Sequence, residues 1–256
     1  MKKKFKKTKK NKGFSEIYGI HSSLAALNNS SRKNQKLVVS SQNEQKFRQF
    51  RQRVSEFIIM NNKQMNKIYG NEKNHQGVYL LTSKIIQPSI EELINRKKKS
   101  KFDIIVILDQ VTDPQNIGSI VRSCSLLNCD TIIVSKKNSP EITPSMVKAA
   151  SGGIEKVNYI KVNNIKDAIT KLKKIDYFII GFDEKNNQEI NKIKFPKKVI
   201  FIFGAENKGL KNSTKQQCNL LTKIPIIKDL KYNIESLNVS NACSIALYEF
   251  YKKIYR

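Results

Sequence analysis

The stretch that decides the fold is residues 104–134, which read IIVILDQVTDPQNIGSIVRSCSLLNCDTIIV. It begins with an apolar run of strand length, residues 104–108, and ends with another, residues 131–134. A segment of helical length, residues 117–128, lies between them. Apolar runs without polar alternation are typical of strands buried on both faces, and a helical crossover joins parallel neighbours. The stretch therefore predicts a strand–helix–strand unit within a parallel sheet.

Apolar runs of strand length also occur along the rest of the chain. Two further apolar runs, residues 177–180 and 199–203, have the length and composition of buried strands, and residues 165–173 have helical length. The final segment, residues 237–255, has the spacing of one amphipathic helix. We therefore predict an α/β domain over residues 102–256, with a parallel sheet covered by helices.

The residues before this domain form a smaller predicted unit. Residues 22–27 have a helical pattern. Short apolar runs that suit buried strands occur at residues 37–39, 57–60 and 78–81. We predict a small α/β domain over residues 13–84.

Two charged segments flank the small domain. Residues 85–101 contain Pro88 and a run rich in lysine, and they are predicted to be a linker. Residues 1–12 are mostly lysine and repel one another, which predicts a basic flexible arm. The arm could grip the phosphates of a nucleic acid or simply be a solvated tail.

Charge gives the first functional indication. Lys and Arg number 48 against 21 Asp and Glu, which gives a net charge of +27. Such a chain repels itself, and a polyanion carrying phosphates relieves the repulsion through counterion release. A nucleic acid is therefore the expected partner, although a genome biased towards lysine and asparagine codons would give a similar composition.

The cysteines and the hydropathy of the chain indicate where in the cell it is expected. The four cysteines have no C-x-x-C spacing and lie far in sequence from the two histidines, so no metal site is predicted. Sparse, unpatterned thiols indicate a reducing compartment. The basic start lacks the apolar stretch of a secretory signal, and no run approaches the roughly 18 apolar residues of a membrane span. We therefore expect a cytoplasmic protein with no membrane segment.

Ligands of α/β sheets bind where loops leave the carboxyl ends of strands, and three such loops stand out. The first runs from Asp109 to Arg122 and reads DQVTDPQNIGSIVR. In it Asn116 can cap the following helix, Gly118 permits a close backbone approach, and the Arg122 guanidinium could face the same loop. The alternative is a helix cap followed by a surface arginine.

The other two loops carry glycines and short polar side chains. In GAENKGL, residues 204–210, two glycines bracket Glu206, which suits either a turn that cradles a nucleotide or an ordinary strand-to-helix turn. The third loop is IPII, residues 224–227, followed by IESLNVS. There Ser236 or Asn238 could contact a ligand or simply cap the last helix.

In this order, the three loops resemble the three motifs of the SpoU (TrmH-type) branch of the SPOUT methyltransferases. The matching strings are LDQVTDPQNIGSIVRS from Leu108, IFGAENKGL from Ile202, and IPI followed by ESLNVSNA from Glu235. KAASGGIE, residues 148–155, looks like the family's small-residue connector. YGIH from Tyr18, with LAAL and HQGV after it, resembles the amino-terminal substrate domain of the branch that methylates a guanosine ribose in large-subunit ribosomal RNA.

The resemblance implies a fold, a cofactor and partners. The fold would be a SPOUT-type knotted α/β domain, in which the carboxyl-terminal chain threads a loop to form a trefoil knot. A ribosomal-protein-like RNA-binding domain would precede it. S-adenosylmethionine would be the cofactor, a homodimer would complete the active site, and no metal would be needed.

The implied reaction is methylation of a ribose 2′-hydroxyl of guanosine in large-subunit ribosomal RNA. A tRNA ribose 2′-O-methyltransferase is the alternative within the family. A non-catalytic RNA-binding protein of ribosome assembly is the alternative from another class, and retention of all the motif residues argues against it.

The resemblance also assigns residue roles. The cofactor would be held by Gly204, Ile224 and Leu237. Arg122 would act at the 2′-hydroxyl by stabilising the developing alkoxide, because a guanidinium with a pKa above about 12 is a poor base. The remaining roles are positional: Asn116 and Glu206 would position the substrate and Arg122, while Ser236 and Asn238 would orient the hydroxyl.

The third motif departs from the family pattern in one respect. Ile226 stands where relatives usually have methionine, a glycine that usually follows is absent, and residues 228–233 lengthen the loop. Isoleucine keeps an apolar wall, so cofactor binding is still expected. The path of the longer loop is left open.

Overall fold

The computed structural model describes residues 13–70, 75–205, 208–227 and 236–255. It divides the chain into two compact units, Met1–Ile86 and Gln87–Arg256. Three sequence predictions concern residues outside the described ranges: the arm of residues 1–12, Glu206, and the lengthened loop of residues 228–233.

The first unit is a small α/β domain. Its strands are β1 (Phe14–Tyr18), β2 (Asn34–Ser40), β3 (Val54–Met60) and β4 (Val78–Ser83), and its helices are α1 (Ile20–Asn28), α2 (Glu44–Phe47) and α3 (Asn62–Tyr69). The sheet order is β1-β4-β2-β3, with β2 and β3 parallel and the other neighbours antiparallel. The predicted helix lies within α1 and the three predicted runs lie within β2, β3 and β4, so the small α/β unit is confirmed.

His75 fixes the turn that precedes β4. It is buried, its Nδ1 accepts a hydrogen bond from the backbone N–H of Gly77 at 2.9 Å, and its Nε2 lies 2.8 Å from Oδ1 of Asn66. Because Nδ1 is an acceptor, the ring proton lies on Nε2 and is donated to Asn66. Burial lowers the pKa of His75, which favours the neutral ring that this turn requires.

The second unit is built around a parallel sheet. Its strands are β5 (Asp103–Asp109), β6 (Thr131–Ser135), β7 (Asn158–Val162), β8 (Phe178–Phe182), β9 (Lys198–Gly204) and β10 (Leu220–Thr222). Its helices are α4 (Ile90–Lys97), α5 (Pro114–Leu126), α6 (Pro144–Ala150), α7 (Ile165–Lys173), α8 (Asn212–Lys215) and α9 (Val239–Tyr255). The strand order is β10-β8-β9-β5-β6-β7, and every neighbouring pair is parallel, which confirms the predicted parallel sheet.

Helices cover both faces of this sheet, which explains the continuous apolar runs. Ile200 and Ile202 of β9 pack in the cluster formed with α4 and α7. Phe201, which lies between them, points to the other face and contacts Phe250 of α9 with ring centroids 6.0 Å apart. Successive strand residues point to opposite faces, so a strand covered on both sides is apolar at every position.

The register brings two of the predicted loops together at the centre of the sheet. Asp109, the last residue of β5, pairs with Gly204, the last residue of β9. From β5 the chain moves towards β6 on one side, whereas from β9 it moves towards β10 on the other side. A crevice opens at such a reversal of winding, outside the carboxyl ends of the strands, and it is the usual ligand site of open α/β sheets.

The structure differs from the predicted linker at residues 85–101. Residues 90–97 form α4, which begins with a capping box between Ser89 and Glu92. Leu93 of this helix is fully buried in the core of the second unit. The linker prediction is therefore wrong for these residues, because the lysine-rich stretch obscured a short helix with one buried stripe.

Lys97 at the end of α4 is buried and forms an ionic network with buried Asp103 and exposed Asp130 at the amino ends of the strands. Its Nζ lies 2.7 Å from Asp103 and 2.6 Å from Asp130, and the Tyr177 hydroxyl donates to Asp103 at 2.5 Å. Burial alone would lower the pKa of Lys97, but the two carboxylates outweigh it and raise the pKa above its ordinary value. The network thus keeps a buried lysine charged.

Neither a membrane-spanning helix nor a metal-binding cluster is found among the residues that the structure describes. No helix within the described residues is long and apolar enough to cross a membrane. Among the same residues, no group of three or more His, Cys, Asp or Glu side chains is arranged to hold a metal ion.

Candidate active site

The first predicted loop ends in the amino-terminal turn of α5, and its cap differs from the prediction. Asp113, not Asn116, caps the helix: its carboxylate accepts from the backbone N–H groups of Gln115 at 3.0 Å and Asn116 at 3.4 Å. Pro114 occupies the first helical position, where its missing N–H costs nothing. The prediction that Asn116 caps this helix is therefore wrong, and its side chain is left for other contacts.

Asn116 contacts the third motif. Nδ2 of Asn238 donates to Oδ1 of Asn116 at 3.0 Å. Oδ1 of Asn238 accepts from the backbone N–H of Ser240 at 2.9 Å, so Asn238 also caps α9. Because that backbone N–H requires an acceptor, the orientation of the Asn238 amide is fixed by the bonds around it.

A second contact between α5 and α9 lies farther along both helices. Oγ of Ser123 and Oγ of Ser244 are 2.7 Å apart. Arg122, the neighbour of Ser123, is exposed. The two polar contacts hold the first and third motifs together while Arg122 projects from the surface beside them.

Close packing behind α5 depends on Gly118. A Cβ atom at this position would lie 2.5 Å from the backbone oxygen of Met146 and 2.6 Å from Cβ of Ala149. The predicted close backbone approach is therefore confirmed, and it occurs against α6. The glycine allows α6 to support the helix that carries Asn116 and Arg122.

The two glycines of the second motif have different roles. A Cβ atom on Gly204 would lie 2.1 Å from the carbonyl carbon of Gly209, so the backbone itself fills that space. Gly209 has a φ of +60° and nothing within 4 Å of a Cβ atom. Its N–H donates to the carbonyl oxygen of Ala205 at 2.8 Å, which closes a tight turn. Glu206, which follows Ala205 in the sequence, lies outside the described residues.

A cavity of about 280 Å³ opens between the second and third motifs, and we refer to it as cavity A. Four of the residues predicted from the sequence line it: Gly204, Ile224, Ser236 and Leu237. Residues that the sequence did not single out also line it, chiefly Phe182, Asp183, Glu184, Lys185, Lys208 and Lys215. Three of these directly follow β8, where the strand-end rule already applied to β5 and β9 would have found them.

One ion pair, between Lys215 and Asp183, lies in the wall of cavity A. Nζ of Lys215 donates to Oδ2 of Asp183 at 2.5 Å, and the backbone N–H of Lys185 donates to the other carboxylate oxygen at 3.2 Å. Burial raises the pKa of Asp183, but these hydrogen bonds outweigh burial and leave the pKa below its ordinary value. Asp183 is therefore a fixed negative charge on the wall of the cavity.

A second cavity of about 540 Å³ adjoins the first, and we refer to it as cavity B. Its lining comes from the loop after β5 (Gln110, Val111, Thr112 and Asp113), from Asn116, and from Asn138 after β6. Ala205, Lys208 and Val239 line both cavities. Arg122 lines neither of them, and Asn238 reaches cavity B only through its bond to Asn116.

These features define a class of protein. Two adjoining cavities at the carboxyl ends of central parallel strands are typical of an α/β enzyme that brings two ligands together. The family model described as "SpoU rRNA Methylase family" matches residues 103–248, and the model described as "RNA 2'-O ribose methyltransferase substrate binding" matches residues 17–88. The chain belongs to the SpoU rRNA methylase family, which confirms the resemblance seen in the three motifs.

Curated relatives agree with this assignment. The chain is 30% identical over 239 residues to the 23S rRNA (guanosine-2'-O-)-methyltransferase RlmB of Coxiella burnetii, covering 91% of this chain and 93% of the relative. It is 31% identical over 180 residues to a putative TrmH family tRNA/rRNA methyltransferase of Staphylococcus epidermidis, covering 70% and 71% of the two chains.

Solved structures share the fold. The SpoU methyltransferase AviRb from Streptomyces viridochromogenes, in complex with AdoMet, matches with a TM-score of 0.75 and 21% identity over 96% of this chain and 94% of that chain. An AdoMet-bound rRNA methyltransferase from Sinorhizobium meliloti matches with a TM-score of 0.77 and 20% identity over 95% and 88%. The fold of the chain is therefore that of the SPOUT methyltransferases, as predicted. As a SpoU family member, the chain is an RNA 2′-O-ribose methyltransferase and uses S-adenosylmethionine.

Proposed function

We propose that this enzyme methylates the ribose 2′-hydroxyl of a guanosine in large-subunit ribosomal RNA. The observation that carries the proposal is the wall of Ala205, Lys208 and Val239 shared by the two cavities. A methyl donor in one cavity and a nucleoside in the other would meet across that wall, as direct transfer requires. The choice of ribosomal RNA follows the Coxiella relative, whose similarity extends over both units of the chain.

Cavity A fits the cofactor, and we assign it to S-adenosylmethionine. Ile224 and Leu237 offer apolar walls for the adenine, and the missing side chain of Gly204 lets the neighbouring backbone close in behind it. Asp183 is held as a carboxylate by Lys215, and its remaining lone pairs can accept from the amino group of the cofactor. When bound, the cofactor supplies an electrophilic methyl group on its sulfonium.

Cavity B is assigned to the target nucleoside. Asn116 lines it and Asn238 holds Asn116, so the pair would orient the ribose hydroxyl, as the sequence resemblance predicts. Ser236 lines cavity A and would approach the hydroxyl from the cofactor side. Glu206 keeps its predicted positioning role, which concerns a residue outside the described ranges.

Arg122 is proposed to stabilise the negative charge that develops on the 2′-oxygen. Its side chain is exposed and lines neither cavity of its own subunit. An exposed arginine that lines no cavity of its own subunit can reach the active site of a second copy of the chain. We therefore propose a homodimer in which Arg122 of each subunit serves the active site of the other.

An apolar patch beside Arg122 supports the homodimer. Leu126 of α5 is 72% exposed, and Tyr248 of α9 is 45% exposed. They lie about one helical turn beyond Ser123 and Ser244, which are in contact, so the two apolar side chains belong to the same surface. Exposed apolar residues grouped beside a functional group are typical of an interface. A SPOUT-type trefoil knot, which we also propose, would form from the carboxyl-terminal chain next to this surface.

The amino-terminal unit is proposed to bind the RNA, in keeping with the substrate-binding model that matches residues 17–88. The net charge of +27 favours a polyanionic partner. We also propose that the enzyme is cytoplasmic, because its proposed substrate is ribosomal RNA. Free thiols, such as those of Cys124 and Cys243, are compatible with a reducing compartment.

The test is a map of ribose methylation in total RNA from cells with and without the protein. We expect one 2′-O-methylguanosine in large-subunit ribosomal RNA to disappear in its absence and to return with the wild-type chain. Loss of a tRNA methylation instead would favour the tRNA alternative, which the Staphylococcus relative's name includes. An unchanged methylation map in both RNAs would contradict the proposed function.

A further inference from the structure

Two carboxamide side chains in the lining of cavity B, Gln110 and Asn138, make no hydrogen bond within the part of the chain that the structure describes. Two other polar members are engaged: Asp113 caps α5, and Asn116 bonds to Asn238. Thr112 and Lys208 are exposed, whereas both carboxamides are half-buried. Their donors and acceptors are therefore available to a ligand.

Gln110 is also held in a strained backbone conformation. Its φ is +67°, in the left-handed region that glycine adopts freely and a side chain disfavours. Glycine at this position would remove the strain. The turn itself does not need a glutamine here. What the glutamine contributes is a carboxamide in the wall of cavity B.

A carboxamide suits the recognition of a nucleobase. It presents a donor and an acceptor in one plane, which matches the paired groups on the edge of a base. Sequence-specific RNA recognition reads unstacked bases through such edge contacts. Guanine offers the O6 acceptor beside the N1–H donor, a complement that one carboxamide can satisfy.

We infer that Gln110 and Asn138 select the base of the target nucleotide by hydrogen bonding to its edge in cavity B. The inference rests on the proposed function, because it takes cavity B as the nucleoside site. Val111 and Val239, which line the same cavity, supply apolar surface against which a flat base can pack. Base selection would thus lie in the methyltransferase unit itself, in addition to RNA binding by the first unit.

The test measures base preference with the full-length enzyme. Unmodified large-subunit ribosomal RNA transcripts and an unmodified tRNA pool are first used to find the nucleotide that the wild-type enzyme methylates. Transcripts carrying each of the other bases at that position then give the ratio of kcat/KM for the natural base to that for each substitute. We expect Asn138→Ala and Gln110→Gly to lower this ratio by about tenfold or more, the effect of one lost edge contact.

Gln110→Gly separates base selection from a structural role. It removes the carboxamide and the strain together, so the thermal midpoint should be unchanged or higher while base preference falls. Asp176→Gly is the matched control: Asp176 has a φ of +69°, is exposed, and lies at the amino end of β8, away from the cavities. It relieves the same kind of strain and should leave base preference unchanged.

The outcomes distinguish the inference from the proposed function. If the wild-type enzyme methylates a tRNA position, its substrate is tRNA and not ribosomal RNA. The base ratios measured at that tRNA position then test the inference. A wild-type enzyme that methylates neither RNA overturns both. If the wild type methylates one position and both cavity variants keep its base preference, base selection by Gln110 and Asn138 is overturned while the proposed function stands.

Discussion

The side-chain amide of Asn238 donates to Oδ1 of Asn116 at 3.0 Å, which joins two motifs that are 122 positions apart in sequence. The same Asn238 caps α9 through Ser240, so one side chain fixes the start of a helix and the position of an active-site neighbour. The contact links the loop after β5 to the residues that line cavity A. It predicts that the two asparagines act as a unit.

Breaking this bond from either side should lower activity. Asn238→Ser keeps a hydroxyl oxygen that can cap α9 but lacks the amide that donates to Asn116, and Asn116→Ala removes the acceptor. Each should lower kcat/KM for an unmodified RNA transcript by about tenfold or more, the rate equivalent of a hydrogen bond of about 1.4 kcal/mol. The double variant should be no worse than the poorer single variant, since the same interaction is lost only once. Losses that multiply would show that the residues act independently.

The two glycines of the second motif should respond differently to alanine. Gly204→Ala introduces a Cβ atom into space filled by the backbone of Gly209, so the wall of cavity A must move. Calorimetry with S-adenosylmethionine should show affinity reduced by about tenfold or more, since shifts of this kind cost about 1 to 3 kcal/mol.

Gly209→Ala is the matched control, because the space around its Cβ is open. It should cost only the strain of a left-handed alanine, about 1 kcal/mol of stability, and should still bind the cofactor. Gly209 also lines cavity A, so the decisive result is that of Gly204→Ala: an unchanged cofactor affinity in that variant would contradict the assignment of cavity A.

Arg122→Ala should abolish turnover while affinity for S-adenosylmethionine stays within a few-fold. Loss of one group that stabilises a developing oxyanion costs about a hundredfold or more in rate. Mixing Arg122→Ala subunits with Gly204→Ala subunits tests whether the arginine serves the partner's site. At a cofactor concentration too low to occupy the Gly204→Ala sites, random assortment makes about half of the dimers mixed, each with one intact site, which gives about a quarter of wild-type activity. No recovery in verified mixed dimers would assign Arg122 to the site of its own subunit.

The apolar patch should govern subunit association. Leu126→Glu and Tyr248→Glu place charges on the surface proposed to meet a second copy, and both should sediment as monomers and lose turnover. Phe102→Glu is a matched control. Phe102 is 47% exposed, like Tyr248, but it directly precedes β5 and so lies at the amino end of that strand. It should stay dimeric. Dimers of Leu126→Glu and Tyr248→Glu as stable as the wild type would exclude this surface as the interface.

The Lys97 network should dominate the electrostatic stability of the second unit. Lys97→Met leaves Asp103 buried without its cation, which should cost about 3 kcal/mol or more and lower the thermal midpoint by roughly 6 °C or more. Lys192→Met removes the exposed partner of Glu189 and should cost less than about 1 kcal/mol. Similar midpoints for the two variants would contradict a stabilising role for the network.

The network also has a defined pH window. The folded pKa of Lys97 is raised, so its contribution is fully present below the ordinary lysine pKa of 10.5 and is lost as the pH rises through the folded value. Asp130 has a lowered pKa: burial alone would raise it, but hydrogen bonds from Lys97 and Thr131 outweigh burial. Its contribution is present above the ordinary Asp pKa of 3.8 and is lost as the pH falls through the folded value.

The strands and the three loops could be predicted from sequence for a clear physical reason. A strand covered on both faces must be apolar at every position, so runs such as residues 104–108 and 199–203 are visible without any structure. The loops follow because ligand sites lie at strand ends. The shorter strands β7 and β10 were not predicted, because β7 mixes polar and apolar residues and β10 has only three residues.

Contacts between distant motifs could not be predicted in the same way. The pattern of the first loop allowed Asn116 to be a cap, and only the geometry shows that Asp113 takes that role and leaves Asn116 to Asn238. Likewise α4 carries a single fully buried apolar residue, Leu93, among many charges, so its burial depends on the partner helices and not on its own pattern. The roles of the site residues stay predictions.

The anchoring of Asn238 has a consequence for how enzymes of this kind diverge. The described chain is held at Lys223, which bridges to Glu189 after β10, and again at Asn238, where the α9 cap and the bond to α5 meet. Residues inserted between these anchors need not shift either one, since closing a longer loop adds little free energy. Lineages can therefore lengthen this connection and acquire new RNA contacts there, while the groups proposed to do the chemistry keep their positions.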